Sequence, residues 1–220
     1  MLEQLKDLLD KYPTRVYSAG SIVLYQGEIP RQALVVTSGV VKASTISNSG
    51  DEQIISFHGA GDILPVSWIF GKTPSTLYFY EASTECEVAL VPRDALLDYL
   101  HHAKRVATLV DYLVTDHAAS SIRISALEQP KARDKLTYTL YYLCQRYGRQ
   151  SRGRVNINLS LTHQNLGALV GLTRETTATE MSRLKKEGVL TYSNQNYRVD
   201  IEKLLDLVGE DSFRGIKISE

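Results

Sequence analysis

The chain has 220 residues, of which 43% are apolar, and its 25 basic and 25 acidic side chains cancel; this is an ordinary globular composition with room for two domains. No apolar run is long enough to span a membrane and the N-terminal MLEQLKDLLDKYP has the spacing of an amphipathic helix, which predicts a cytoplasmic protein. Cys86 and Cys144 lie far apart, which argues against a disulfide framework, a zinc site and an iron–sulfur cluster.

Charge is distributed unevenly along the chain. Residues 1–100 carry 7 Lys and Arg against 12 Asp and Glu, whereas residues 101–200 carry 15 against 8. A basic second half beside an acidic first half predicts that one domain binds a polyanion. Uneven surface charge without such a partner is the alternative.

Residues from about Val16 to Val91 have the pattern of a β domain. Short apolar or β-branched runs such as SIVLYQG, ALVVTSGVVKAST and CEVALV are separated by turns rich in Gly, Asn and Ser. Many short strands at even spacing predict a barrel, a roll or a sandwich.

A helical pattern begins at about Pro92 and includes a heptad seam. Alternating steps of four and three residues join Val106, Val110, Leu113, His117, Ser120, Ile124 and Leu127. Such a seam predicts a coiled-coil homodimer, although two of its positions are polar. A core helix packed on its own domain is the alternative.

Gln129-Pro130 ends this helix, because proline cannot continue it. The elements predicted next are a helix to about Tyr147 with Leu136, Leu140 and Leu143 on its apolar face, a basic loop GRQSRGR from Gly148 to Arg154, and the strand VNINL. Near the end of the chain we predict a hairpin, GVLTYSNQNYRVD, turning at Ser193 to Asn196, and a short helix from Ile201 with a polar end.

Between these elements lies a predicted helix-turn-helix. Thr162 is suited to cap a helix over His163 to Val170, and Gly171 allows the left-handed conformation that ends it. Thr173 then caps a second helix after a short connection. Two helices joined this tightly form the motif that places its second helix in the major groove of DNA.

The second helix has an outer face of small side chains. At about 100° per residue, Thr177, Met181 and Leu184 point to the core. Small residues allow close approach to the groove, while Arg174 can donate to guanine or phosphate and Glu175 can accept from cytosine. The predicted DNA-binding residues are Thr173, Arg174, Glu175, Ala178, Thr179, Ser182, Arg183 and Lys186.

Sequence-independent affinity is expected from nearby cations and from the positive N-terminal end of the helix. These cations are Arg183, Lys185, Lys186, Arg149, Arg152 and Arg154. A helix-turn-helix used only for packing or protein contact is the alternative.

Over nearly its whole length the chain resembles the Crp/Fnr family of bacterial transcription regulators. The resemblance is carried by GLTRETTATEMSRLKKEGVL, by LYQGEIPRQALVVTSGVVKAS and by the GDIL and CEVALV segments. It implies an α+β protein with a jelly-roll-like β-roll sensor domain at residues 1–100, a dimerisation helix and hinge at 101–129, and a winged helix-turn-helix domain at 130–220. It also implies double-stranded DNA, a second copy of the chain and RNA polymerase as partners, without catalytic activity.

The resemblance implies that Arg174 and Glu175 read bases or phosphates. Many family members carry an arginine one turn later, where this chain has Thr179. This departure removes one guanine-reading side chain and puts the usual half-site of the family in doubt.

The predicted effector segment differs from that of the members that bind cyclic AMP. Those members carry a glutamate and an Arg-Ser pair where this chain has Val66 and Thr76-Leu77, and Lys72 is the only cation between Gly61 and Val91. A buried phosphate without a cationic partner is costly, so cyclic AMP is disfavoured.

Other effectors are left open. Trp68, Phe70, Tyr78, Phe79 and Tyr80 either fill the roll or line an apolar site, and the polar seam residues either contact a ligand or set the register. Haem is disfavoured, although His58, His101, His102 and His117 are available. No cofactor is evident. The candidate pocket residues are Val66, Trp68, Thr76, Leu77, His117, Ser120 and Ser121.

Two rival functions accompany the leading hypothesis of a regulator that binds a palindromic operator. One is an effector-independent DNA binder, and the other is a small-molecule sensor that acts through protein contacts. An enzyme is the weakest hypothesis, since the sequence has no evident Ser-His-Asp set, paired carboxylates, phosphate-binding loop or metal spacing.

Overall fold

The computed structural model of the chain describes residues 2–151 and 153–209, and the side chain of each of them except Lys104. The chain divides into two compact units that meet between Val114 and Thr115, inside a long helix. The three-part division at residues 100 and 129 stays a prediction. Arg152 and the polar end of the C-terminal helix lie outside the described residues.

The first unit contains two antiparallel four-stranded sheets and several helices. The strands are β1 (Thr14–Tyr17), β2 (Ile22–Leu24), β3 (Ala33–Ser38), β4 (Val41–Ile46), β5 (Glu52–His58), β6 (Ile63–Leu64), β7 (Phe79–Ala82) and β8 (Cys86–Val91). The sheet orders are β1-β8-β3-β6 and β2-β7-β4-β5. The helices are α1 (Leu2–Leu9), α2 (Val66–Ile69), α3 (Arg93–His101) and the start of α4 (Ala103–Glu128). The predicted β-roll is confirmed.

Strands β3 and β8 are largely buried on both faces of their sheet. Leu34, Val36 and Val88 pack in one cluster with residues of the second sheet. Val35 and Ala89, on the other face, pack in a second cluster with residues of α1, α2, α3 and α4. Because both faces of β3 and β8 are largely covered, their apolar residues form nearly continuous runs instead of alternating with polar ones.

The second unit packs a four-stranded antiparallel sheet against helices. It contains the end of α4, then α5 (Ala132–Tyr147), β9 (Gly148–Ser151), β10 (Arg154–Ile157), α6 (His163–Val170), α7 (Arg174–Lys186), β11 (Leu190–Ser193), β12 (Asn196–Val199) and α8 (Ile201–Val208). The sheet order is β11-β12-β10-β9. The predicted helix-turn-helix and the following hairpin are therefore confirmed.

Helix α5 is the centre of this unit. Leu136, Leu140 and Leu143 are buried as predicted, and so are Tyr138, Tyr141 and Tyr142 of the same helix, with Tyr141 fully enclosed. The Tyr141 hydroxyl accepts a hydrogen bond of 2.8 Å from Gln145 Nε2. A helix buried almost all round is a core helix, on which the other elements of the unit pack. Among the described residues no helix is long and apolar enough to cross a lipid bilayer.

The sequence interpretation of GRQSRGR as a loop is wrong. Its first residues form β9, which pairs with β10 so that Arg154 lies opposite Ser151 and Asn156 opposite Arg149. The sequence gives no strand signal here. The outer face of the hairpin is charged and meets water, so its residues lack the alternation of apolar and polar side chains that identifies a strand.

A close contact at Gly167 sets the distance between α6 and α7. A Cβ atom at this position would lie 2.5 Å from the carbonyl oxygen of Leu172 and 3.1 Å from Oγ1 of Thr177. Both neighbours belong to the start of α7 or to the turn before it, and the nearer atom is backbone. The motif therefore requires glycine here for packing.

Gly167→Ala is expected to lower the free energy of unfolding by about 1–3 kcal/mol, because the added methyl group forces the turn away from α6. Urea denaturation followed by far-UV circular dichroism measures the loss. Gly59→Ala is the matched control, since its Cβ meets open space and its φ is ordinary, and it should be neutral or stabilising by up to about 1 kcal/mol. Equal effects of the two substitutions would contradict the packing argument.

Candidate nucleic-acid interface

Helix α6 is fixed at both ends by the residues that the sequence indicates. Oγ1 of Thr162 accepts a hydrogen bond of 3.0 Å from the backbone N–H of Asn165, and Oδ1 of Asn165 accepts one of 2.9 Å from the backbone N–H of Thr162. This reciprocal capping box satisfies two donors at the helix start. Gly171 ends the helix in the left-handed conformation, with φ of 68°.

The turn leads directly into the cap of α7. Oγ1 of Thr173 accepts a hydrogen bond of 3.2 Å from the N–H of Thr176, and the buried Thr177 hydroxyl donates one of 2.9 Å to the Thr173 carbonyl. Both bonds hold the first turn of α7, so its free backbone N–H groups point in a fixed direction. Such an end attracts anions.

Helix α7 presents two different faces. Thr177, Met181 and Leu184 are fully buried, as their wheel positions predict. The predicted DNA-binding residues lie on the other side: Thr173, Arg174, Glu175, Thr179, Ser182, Arg183 and Lys186 are exposed, and Ala178 is half-buried. The structure thus brings all eight together on one surface. The Thr179 hydroxyl donates to the Glu175 carbonyl at 2.9 Å.

The cations of this surface differ in how firmly they are held. Arg183 Nη1 lies 2.6 Å from Oε1 of Glu180, a carboxylate that is largely buried at the edge of the face. Lys185 Nζ lies 4.6 Å from the centre of the Tyr192 ring. Arg174 and Lys186 form no ion pair with a carboxylate in the described part of the chain. Sequence reasoning missed Glu180, because burial of a glutamate has no local signal.

Two further arginines position the motif from outside it. Arg133, near the start of α5, forms a bidentate ion pair with Glu187 at 2.8 and 2.6 Å, and this hydrogen bonding lowers the pKa of the Glu187 carboxyl. Arg123 Nη2 donates to the Leu169 carbonyl, near the end of α6, at 3.0 Å. Neither pair was identified from the sequence, because each joins residues that are far apart in the chain.

The predicted seam lies along the solvent side of α4. Its apolar members Val106, Val110, Leu113, Ile124 and Leu127 are 36% to 60% exposed. His117 and Ser120 continue the same exposed stripe. The opposite side of the helix is buried at Ala119, Ile122 and Ala126.

The predicted pocket residues of the first unit have separate surroundings. Val66 and Trp68 lie on α2 and pack against the cluster beneath α1 and α3, where the Arg93 guanidinium lies 5.4 Å from the centre of the Trp68 ring. Thr76 is buried, and its hydroxyl donates to the Tyr25 carbonyl at 2.5 Å. Leu77 is exposed.

The aromatic residues of the same segment largely serve as packing. Tyr80 is buried in the cluster between the two sheets, and Tyr78 packs against that cluster. Phe70 packs with the helices on the other side of the β3 sheet. On α4, the exposed Ser121 hydroxyl donates to the His117 carbonyl at 3.0 Å.

Ser56, His58 and Asp62 lie near one another in the first unit. Ser56 Oγ lies 2.8 Å from His58 Nε2, and His58 Nδ1 lies 4.0 Å from Asp62 Oδ2. The second distance is too long for a hydrogen bond, and Asp62 instead accepts a bond of 2.8 Å from the Gly59 N–H. This geometry lacks the orienting contact of a catalytic triad. The described residues contain no group of three or more His, Cys, Asp or Glu suited to a metal ion.

Comparison with known proteins agrees with this geometry. Residues 14–103 match the cyclic nucleotide-binding domain family, and residues 134–207 match the Crp-like helix-turn-helix domain. The chain is 29% identical to the regulatory protein HlyX of Actinobacillus pleuropneumoniae over 192 residues, which cover 86% of this chain and 78% of that protein. It is 26% identical to the anaerobic regulatory protein of Aggregatibacter actinomycetemcomitans, over 94% of this chain and 80% of that protein.

A solved structure has the same fold. A transcriptional regulator of the CRP/FNR family from Thermus thermophilus, TTHA1359, aligns with a TM-score of 0.67 and 23% identity. The alignment covers 90% of this chain and 99% of that chain.

His163, the first residue of α6, is expected to make stability depend on pH. Burial and then the Arg174 charge lower the pKa of this imidazole below its ordinary value of 6.5. The unfolded chain therefore takes up this proton first, so the contribution of His163 to stability is present above pH 6.5 and is lost as the pH falls towards the lower folded pKa.

His163→Gln should flatten the fall in the free energy of unfolding between about pH 7.5 and about pH 5.5. Chemical denaturation at a series of pH values measures it, and the same substitution at exposed His101 controls for the loss of an imidazole. A slope identical to that of the wild type would show that His163 is not the responsible group.

Proposed function

Because the chain belongs to the Crp/Fnr family of transcription regulators, we propose that it binds a palindromic DNA operator as a homodimer and regulates transcription there without catalysing a reaction. Helix α7 reads the bases, and the α4 helices of two copies form the coiled coil. The proposal places the protein in the cytoplasm, where it meets DNA and RNA polymerase.

The exposed face of α7 is the observation that carries this proposal. Its middle is made of Ala178, Thr179 and Ser182, so the helix backbone can approach the floor of a major groove. Arg174 and Glu175 flank its first turn, where side chains of a recognition helix reach base edges. Lys186 and Arg183, at the other end, suit phosphates.

The exposed apolar stripe on α4 supports the homodimer. Exposure to water is unfavourable for the apolar side chains Val110, Leu113 and Ile124. A second copy of the same stripe would bury them by knobs-into-holes packing. The polar positions His117 and Ser120 then fix the register of the two helices. A dimer with two-fold symmetry presents α7 twice, so half-sites about 34–36 Å apart are expected.

The effector is not cyclic AMP in this proposal. Thr76 is already hydrogen-bonded to backbone, Leu77 faces solvent, and Lys42 of β4 is held by Glu52 and Glu81 at 2.6 and 3.4 Å. These residues offer no free cation to a cyclic phosphate. The packing of Tyr78 and Tyr80 between the sheets favours DNA binding that needs no nucleotide, and we assign no cofactor.

Glu175→Ala is expected to relax preference at one base position, losing about 1–3 kcal/mol of discrimination there, because its carboxylate accepts from a single base. Lys186→Ala should instead weaken binding to every sequence alike and reduce the salt slope by about 1 for each protomer of the dimer, or about 2 in all, because its ammonium contacts phosphate. Fluorescence anisotropy with operator duplexes substituted at each position measures both effects. If the two variants gave the same profile, α7 would not lie in the groove as proposed.

Ile124→Glu is expected to halve the mass in solution and to abolish high-affinity binding to the palindrome, because paired carboxylates cannot be buried in the seam. Analytical ultracentrifugation measures the mass. Ala118→Glu is the matched control: it adds the same charge to an exposed position of α4 outside the seam and should remain a dimer. A wild-type chain that sediments as a monomer at the concentration used for DNA binding would contradict the proposal.

A further inference from the structure

The sheet of the second unit has one buried and one open face. Along β10 and β12, Val155, Ile157, Tyr197 and Val199 are buried, and the residues between them point the other way. On this outer face Arg149, Asn156, Arg198 and Thr191 form one row across the four strands, because each lies opposite the next in the strand register.

The row borders a shallow groove of about 350 Å³. The polar side chains that line it are Arg149, Asn156, Asn158, Asn196 and Arg198. None of these is a carboxylate, and neither arginine forms an ion pair with a carboxylate in the described residues. The groove is therefore a cationic surface lined with amide donors.

Arg198 has hydrogen-bonding capacity that the chain itself does not use. Its Nε atom is buried and donates to no acceptor within residues 2–151 and 153–209. Its Nη2 atom makes a long contact of 3.5 Å with the Ser151 carbonyl. Because Nε is enclosed, an acceptor in the groove would meet the other guanidinium nitrogens of Arg198, which lines the groove.

The chemistry of the face selects the kind of acceptor. Arg149 and Arg198 are separated by two strand spacings, or about 10 Å, and both are planar forks that match phosphate. The face lacks the exposed aromatic or aliphatic side chains that form the centre of a protein–protein interface. Arginine and asparagine donors without an apolar centre are what contacts to a sugar–phosphate backbone require.

We propose that this outer face, centred on Arg149 and Arg198, binds phosphates of the DNA duplex as a second contact beside α7. The inference rests on the proposed function and extends it. The sheet face supplies affinity that is independent of sequence, whereas the first turn of α7 supplies base preference.

The test uses the full chain carrying Arg149→Gln and Arg198→Gln together. Affinity is measured over a series of salt concentrations for an operator duplex and for a scrambled duplex of equal length. The matched control removes two exposed cations of the first unit, Arg31→Gln and Lys72→Gln. Arg198→Lys is a further variant, which keeps the positive charge and removes the planar guanidinium group.

In the proposed homodimer the double variant removes four phosphate contacts per duplex, so it should reduce the salt slope by about 3.6, because each lost contact accounts for about 0.9. Affinity should fall about tenfold or more for both duplexes, with base preference unchanged; Arg198→Lys should lose less, and the control pair should match the wild type. Thermal melting by circular dichroism establishes that each variant is folded.

An unchanged salt slope in the folded double variant would overturn the inference. An acidic protein would then be the remaining candidate partner for the groove. Loss of base preference would overturn it as well, since it would show that the arginines maintain the geometry of the α6–α7 motif and do not simply contact phosphate. A wild-type chain that prefers the operator while the double variant is unaffected refutes only the sheet contact. A wild-type chain without sequence preference refutes the proposed function.

Discussion

The contact between α6 and α7 at Gly167 is the constraint on which the rest of the second unit depends. Because no side chain stands between the helix and the Leu172 carbonyl, the turn is short and Thr177 packs directly beneath α6. This position buries one side of α7 with Met181 and Leu184 and leaves the opposite side uncovered. A bulkier residue would move the whole outer face, even though it touches none of the residues that we place in the groove.

The positively charged side chains of this unit serve two purposes: some pair with groups inside the protein, and others are left to bind DNA. Arg133 and Arg123 are engaged with Glu187 and the Leu169 carbonyl, and they hold helices in place, whereas the exposed Arg183 pairs with Glu180 inside α7. Arg174 and Lys186, on α7, have no such partner among the described carboxylates. We therefore expect the cations that bind DNA to be fewer than the basic composition of residues 101–200 indicates, and concentrated on α7 and on the outer sheet face.

The parts of the structure that the sequence predicts well are those with local causes. The caps at Thr162 and Thr173 and the turn at Gly171 involve neighbouring residues, so the helix-turn-helix could be predicted to the residue. The β9 strand was not predicted, since its pairing gives charged residues no apolar alternation. Glu180, the Arg133–Glu187 pair and the Ser56–His58 contact depend on burial or on distant parts of the chain, and no spacing in the sequence indicates them. The roles of the pocket residues Val66, Trp68, Thr76 and Leu77 stay predictions.

The central claim is that two copies of α7, held by paired α4 helices, read two-fold symmetric DNA. Selection of the purified full chain against a library of randomised duplexes tests it most directly. We expect the enriched sequences to contain two inverted half-sites whose centres lie about 10–10.5 base pairs, or one helical turn, apart. Enrichment of single, unpaired sites, or of no sequence at all, would contradict the account.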